Sequence, residues 1–400
     1  MAVRRTIAGA LGGAALGVGS ALAASILARV GGRAMVARTE RRMNAVRDEG
    51  PYLVPPAAAD LHERLTIVDL HADALLWGRD LLERGSRGHV DVPRLVQGNV
   101  AIEVFGVATK VPHHLNIERN DDRSDDVRLI ALARGWPRGT WRSLLARAEY
   151  QAERLAAMAD GSNGQLTLVR TAPELDAFLA RRAGDPSLLA GMLAIEGAHA
   201  LDDDIGHLDR VEAAGYRMVG LAHFFDNAFA GSAHGVVKGG LTDRGRELVA
   251  ELERRRIIVD VAHASTAAIE DVLAVATRPV VASHTGVRGV ADNVRNLSND
   301  QLRGIAATGG LVGIGFWPTA SGGDDAASIA RSVRRAVAIA GAEHVALGSD
   351  FDGAVPTPFD ASGMPVLTAA LLSEGLDEAT ISAVMGESAV RFLRQALPGG

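Results

Sequence analysis

The stretch Thr66-Ile-Val-Asp-Leu-His-Ala-Asp73 joins a short β-branched apolar run to a histidine and an aspartate at alternate positions. A run of this kind, flanked by turn and helix material, reads as a strand of a parallel sheet buried on both faces. Seven more follow: Val100–Val107, Gly191–Ile195, Arg217–Leu221, Ile257–Val261, Pro279–Ala282, Gly310–Phe316 and His344–Leu347. Eight runs separated by helical material predict an α/β fold of the (β/α)8 barrel type. Thr171-Ala-Pro-Glu174 and Ser298-Asn-Asp-Gln301 read as capping boxes that start outer helices. The interval of more than 80 residues between the second and third runs holds a helical excursion that includes Ser143–Asp160.

Several runs end on a residue able to bind a metal or move a proton, at the end of the strand where a barrel keeps its active site. The first ends in His71-Ala-Asp73, the third in Glu196-Gly197, the fifth in His263 and the sixth in His284. Three imidazoles and two carboxylates are too many ligands for one four-coordinate catalytic zinc. They suit two zinc ions sharing a bridging carboxylate, for which Glu196 is the natural candidate. Two such ions can hold one hydroxide and polarise a carbonyl. Amide hydrolysis also needs oxyanion stabilisation and a proton for the leaving nitrogen. His223, ending the fourth run, and Asp350, after the eighth, stand where those tasks arise. Asp352 reads as a turn residue. His113, His114, His199, His207 and His234 fall in expected loops, with solvated or loop-fixing roles.

The 400 residues carry a net charge of −6 and no basic cluster in the globular part, which argues against a nucleic-acid partner and for a small-molecule substrate. With no cysteine, disulfides are excluded and any metal must be held by His, Asp and Glu. Thr6–Ala28 is uncharged for 23 residues, about the length that crosses a bilayer as a helix. It reads as an N-terminal membrane anchor. A cleaved secretory signal ending at Ala21-Leu22-Ala23 and a buried or surface helix are the other readings. Arg29, Arg33, Arg38, Arg41 and Arg42 outnumber Arg4 and Arg5, which by the positive-inside rule places the following domain in the cytoplasm. Residues 1–50 are thus expected to be an anchor or signal with a helical stem, 51–60 a linker with prolines at 51, 55 and 56, and 61–400 the catalytic barrel.

From Thr66 to Leu397 the chain resembles the membrane dipeptidase family. The resemblance rests on Asp69-Leu-His71-Ala-Asp73, Ala194-Ile-Glu196-Gly197, Leu221-Ala-His223, Gly240-Leu-Thr-Asp-Arg-Gly245, Val259-Asp-Val-Ala-His263, Ser283-His284, Arg295-Asn296 and Gly348-Ser-Asp350-Phe-Asp-Gly353, in that order. It implies one zinc on His71, Asp73 and Glu196 and a second on Glu196, His263 and His284. It also implies that His223 and Arg295 contact substrate, that Asp350 assists proton transfer, and that substrates are dipeptides, some with a D-residue on the C-terminal side. Two departures stand out. Phe224-Phe-Asp-Asn227 follows His223 where many relatives are smaller and more polar, and Gly386-Glu-Ser-Ala389 replaces a frequent Gly-x-Asn pattern. Other readings are a two-metal hydrolase of lactones, β-lactams or N-acyl amino acids, and an inactive membrane-tethered binding protein. The expected partners are a dipeptide, the membrane through the N-terminal segment, and a second copy of the chain as a homodimer.

Overall fold

A computed structural model describes residues 31–400. Nine strands form one parallel sheet: β1 (Ile67–Ala72), β2 (Val100–Ala108), β3 (Leu166–Leu168), β4 (Leu189–Glu196), β5 (Tyr216–Gly220), β6 (Ile258–Asp260), β7 (Val281–Thr285), β8 (Leu311–Ile314) and β9 (Val345–Leu347). The sheet order is β2-β1-β9-β8-β7-β6-β5-β4-β3, and β2 also pairs with β4. Eight strands therefore close into a barrel. β4 carries β2 along one edge; along the other, β3 pairs with its first residues and β5 with its last. All eight predicted runs are barrel strands, while β3 lies inside the long excursion. The excursion also holds the helices Asp126–Arg134 and Leu144–Gly161, and both predicted capping boxes are formed.

Val68, Ile102, Met192, Met218, Ile258, Val281, Leu311 and Ala346, one from each barrel strand, belong to a single buried cluster that fills the barrel. Phe392 and Leu393 of the helix Ser388–Ala396 join it. Gly386, just before that helix, packs so tightly on the start of β1 that a Cβ there would lie 1.9 Å from the Thr66 carbonyl oxygen. The family departure at this point therefore keeps the one residue that the close approach demands. A second, larger cluster lies between barrel and helices.

The polar ends of the strands are aimed by bulges. From Asp69 to Ala72, β1 advances three residues while its partner β2 advances two, from Glu103 to Phe105. β7 does the same between Ala282 and Thr285 against Val312 and Ile314 of β8. An extra residue rotates the side chains that follow it. His71 and His284 each sit within one of these irregular stretches.

The expected span Thr6–Ala28 lies outside the described residues. Among the described residues, no helix is long and apolar enough to cross a membrane. Residues 31–43 are helical and lie against the barrel. Glu40 is fully buried and contacts Arg79 and Arg87, and the backbone N–H groups of Arg47 and Asp48 donate to the carbonyls of Thr357 and Pro358. The stretch expected as a linker is irregular only through Pro55. Pro56 opens the helix Pro56–Arg64, because at a first helical position its missing N–H costs no hydrogen bond.

Candidate active site

The C-terminal ends of the strands bring the predicted residues together. Glu196, the last residue of β4, is at the centre. Its Oε1 lies 3.0 Å from His263 Nε2, 3.4 Å from His284 Nε2 and 3.5 Å from His71 Nε2. Its Oε2 lies 3.2 Å from His223 Nε2. Asp73 Oδ2 is 3.4 Å from His71 Nε2, and all these side chains are buried. His263 and Asp350 take left-handed backbone conformations, with φ of 62° and 60°. For residues other than glycine that conformation is uncommon and is held only where the surroundings over-determine it.

One hydrogen-bond chain sets the tautomer of His284. Ser283 Oγ donates to Asp260 Oδ2 at 2.5 Å and lies 2.9 Å from His284 Nδ1. Its proton committed, the hydroxyl accepts from Nδ1–H, so Nε2 presents a lone pair. That nitrogen is 2.9 Å from His263 Nε2. Such outer-shell support is what a metal-binding imidazole requires. Both ring nitrogens of His71, Asp73 Oδ1, and the Nδ1 atoms of His223 and His263 are buried without hydrogen-bond partners. His71, Asp73 and Glu196 form one potential cation-binding group, Glu196, His223 and His263 a second, and His71, His284 and Asp350 a third. These nitrogen and oxygen donors fit zinc.

The electrostatics are those of a desolvated site. Burial holds His223, His263 and His284 well below the usual imidazole range, which keeps their lone pairs free. Burial and Asp73 hold Glu196 well above the usual carboxylate range. Burial, reinforced by Asp73, lifts Asp350 to about 8. His71 goes the other way: burial would depress it, but Asp73 and Glu196 outweigh that and push it up to about 10. Arg295 is buried, donates to the His284 carbonyl, and lies 5.7 Å over the Trp317 ring. Burial lowers it to about 10. Among the described residues no carboxylate pairs with it directly.

The geometry adds residues that the sequence reading left in loops. His234 is buried, with its ring 5.2 Å from that of His263 and Nδ1 2.8 Å from the Ile117 carbonyl. His199 lies beside His223, their ring centroids 6.4 Å apart and their planes within 7° of parallel. Asp352 is in the turn after β9 but is fully buried. It accepts from Arg79 and from the N–H groups of His89 and Val90, while its carbonyl accepts from Trp77 Nε1. No local pattern marks these contacts, since each partner is distant in sequence. Glu196, His223, His263, Arg295 and Asp350 face a common cavity of about 700 Å³.

A parallel barrel with buried imidazoles and carboxylates converging at its C-terminal end defines a metal-dependent hydrolase. The model of the membrane dipeptidase family, peptidase family M19, matches residues 56–397. The chain belongs to this family and is a dipeptidase of its metallopeptidase kind. Among its relatives is the dipeptidase tcpJ of Claviceps purpurea (strain 20.1), 29% identical over 321 residues that cover 77% of this chain and 69% of the relative. A solved structure of dipeptidase AC, a metallo peptidase of family M19, superposes with a TM-score of 0.67 at 27% identity, covering 84% of this chain and 99% of that one. A metallo peptidase from Rhodobacter sphaeroides, solved with a phosphinate mimic of the dipeptide L-Ala-D-Ala, gives 0.65 at 26% identity, covering 83% and 99%.

Proposed function

We propose that the chain hydrolyses dipeptides with two zinc ions held by His71, Asp73, Glu196, His263 and His284, Glu196 being shared. The observation that carries this reading is the placement of one carboxylate oxygen, Glu196 Oε1, within 3.5 Å of three imidazole Nε2 atoms. When bound, such a pair of ions supplies a water ionised near neutral pH and a Lewis acid for the scissile carbonyl. Arg295, without a carboxylate of its own, takes the substrate's terminal carboxylate through paired hydrogen bonds. His223 faces the developing oxyanion. Asp350, which faces the same cavity as Glu196, accepts a proton once ionised and returns it to the leaving amine.

The ligand of the Rhodobacter sphaeroides relative supports acceptance of a D-residue on the C-terminal side. Attachment to a membrane through Thr6–Ala28, and self-association as a homodimer, belong to the same proposal. In the test, purified protein is stripped with a chelator, reloaded with zinc, and assayed on free dipeptides, including L-Ala-D-Ala, beside β-lactam, lactone and N-acyl amino acid substrates. Activity should return with close to two zinc ions per chain and favour free dipeptides. Turnover confined to the other substrates would move the chain to another hydrolase class, and zinc binding without any turnover would leave the inactive binding protein.

A further inference from the structure

A ligand cavity of roughly 300–1,000 Å³ serves a drug-sized molecule, and the one above Glu196 holds about 700 Å³. Much of its wall is apolar. Leu76 and Trp77 follow β1, while Leu129 and Ile130 lie on the helix Asp126–Arg134 that follows β2. Met35 and Val36 come from the helix of residues 31–43, which precedes the family-matched segment 56–397. Val36, Leu76 and Trp77 are buried in one cluster with Val127 and Ala131 of the helix Asp126–Arg134. The N-terminal helix is thus packed as a wall and not merely draped over the mouth. Met35 and Leu129 remain 59% and 50% exposed, an arrangement that leaves apolar surface for a ligand to cover.

The barrel order fixes which end of the substrate meets this wall. Around the barrel the strands run β2, β4, β5, β6, β7, so β7 stands four places from β2, across the barrel. Arg295 is in the loop that follows β7; the apolar wall follows β1 and β2. With the terminal carboxylate on Arg295 and the scissile carbonyl over Glu196, the N-terminal residue of the dipeptide extends toward the wall. We infer that the helix of residues 31–43 and the helix Asp126–Arg134 form a specificity chamber for dipeptides whose N-terminal residue carries a long apolar side chain.

This assignment rests on the dipeptidase reading, and the experiment separates the two. The full-length, zinc-loaded protein is given a series ending in alanine, with alanine, leucine, 2-aminooctanoate and 2-aminodecanoate in the N-terminal position. A fully buried methylene is worth about fourfold, so burial of only about two of the methylenes added from alanyl-alanine to the 2-aminooctanoyl substrate should raise efficiency at least about tenfold. In Met35→Glu with Leu129→Glu, both exposed enough to spare the fold, that ratio should fall to about threefold or less. A flat or falling series in protein that cleaves alanyl-alanine would overturn the chamber and leave the dipeptidase. Equal loss on both substrates in the double variant would also overturn it, as would a gain only when the long side chain is on the C-terminal residue. No cleavage of any dipeptide would overturn the dipeptidase reading itself.

Discussion

Glu40 and Asp352 hold the same guanidinium: Glu40 Oε1 lies 2.6 Å from Arg79 Nε, while Arg79 Nη2 donates to Asp352 Oδ2. The helix of residues 31–43 is thereby tied, through one buried arginine, to the turn that carries Asp350. Removing one partner of a buried ion pair leaves an uncompensated charge and costs about 3–5 kcal/mol. Because Arg79 keeps Asp352, Glu40→Ala should lower unfolding free energy by no more than the lower end of that range, about 3 kcal/mol, in urea titrations. Hydrogen exchange should quicken first over residues 31–43. An unchanged midpoint, with unchanged exchange there, would show that the helix is held by its apolar contacts alone.

Glu196→Gln should lose bound zinc and dipeptide turnover together, since an amide cannot serve as a shared anionic ligand. Metal analysis after gel filtration checks the first and a coupled amino-acid assay the second. In the metal-free protein His71 titrates near 10 and so is protonated at neutral pH. That proton has to leave for Nε2 to become a ligand. Zinc affinity should accordingly rise with pH toward 10, and zinc uptake at pH 7 should release protons, measurable by calorimetry in buffers of different ionisation heat. A full complement of zinc in the Gln variant would refute the shared-ligand assignment.

Arg295→Ala should weaken catalysis on free dipeptides by about ten- to a hundredfold, because a charge-assisted hydrogen bond contributes about 1.5–3 kcal/mol. The wild-type preference for free over C-terminally amidated dipeptides should shrink in step, with zinc content unaltered. Retained preference in the variant would place the carboxylate elsewhere.

His62 provides an acid-sensitive fastening between the helix Pro56–Arg64 and the helix Met364–Ser373. Its Nδ1 is 2.8 Å from Thr368 Oγ1 and its Nε2 3.1 Å from the Gly98 carbonyl, and burial lowers it to about 4. The unfolded chain takes up a proton below about 6.5 whereas the folded one does so only below about 4, so stability falls with pH across that window. The contribution is of the order of 3 kcal/mol, lost between pH 6.5 and 4. His62→Gln should show a visibly shallower acid dependence of the urea midpoint over that range. Parallel profiles would remove His62 from the acid response.

The barrel strands were legible because a strand buried on both faces must be apolar along its length, and Val100–Ala108 or Leu189–Glu196 could hardly be anything else. The ligand candidates were legible because a barrel confines them to strand ends. β3 escaped notice: it has three residues, of which Thr167 and Leu168 are only partly buried, so its run was too short to register. The bulges at His71 and His284 were also invisible, because they are mismatches in pairing between two strands. The placement of residues 31–48 depended on partners some 300 positions away, such as Thr357, which no local pattern announces. Asp352 read as a turn residue for the same reason: its acceptors are engaged by Arg79, His89 and Val90.

The pairing of Val46 with Thr357 has a bearing on biosynthesis. On a ribosome adding roughly 5–20 residues per second, residue 46 emerges about a quarter-minute to a minute before its partner exists. The segment that follows this wall of the cleft must wait, unpaired, for the loop after β9 to be translated. A nascent or truncated chain can assemble much of the barrel while its mouth stays open on that side. Completion of the mouth is thus coupled to synthesis of the loop that holds Thr357.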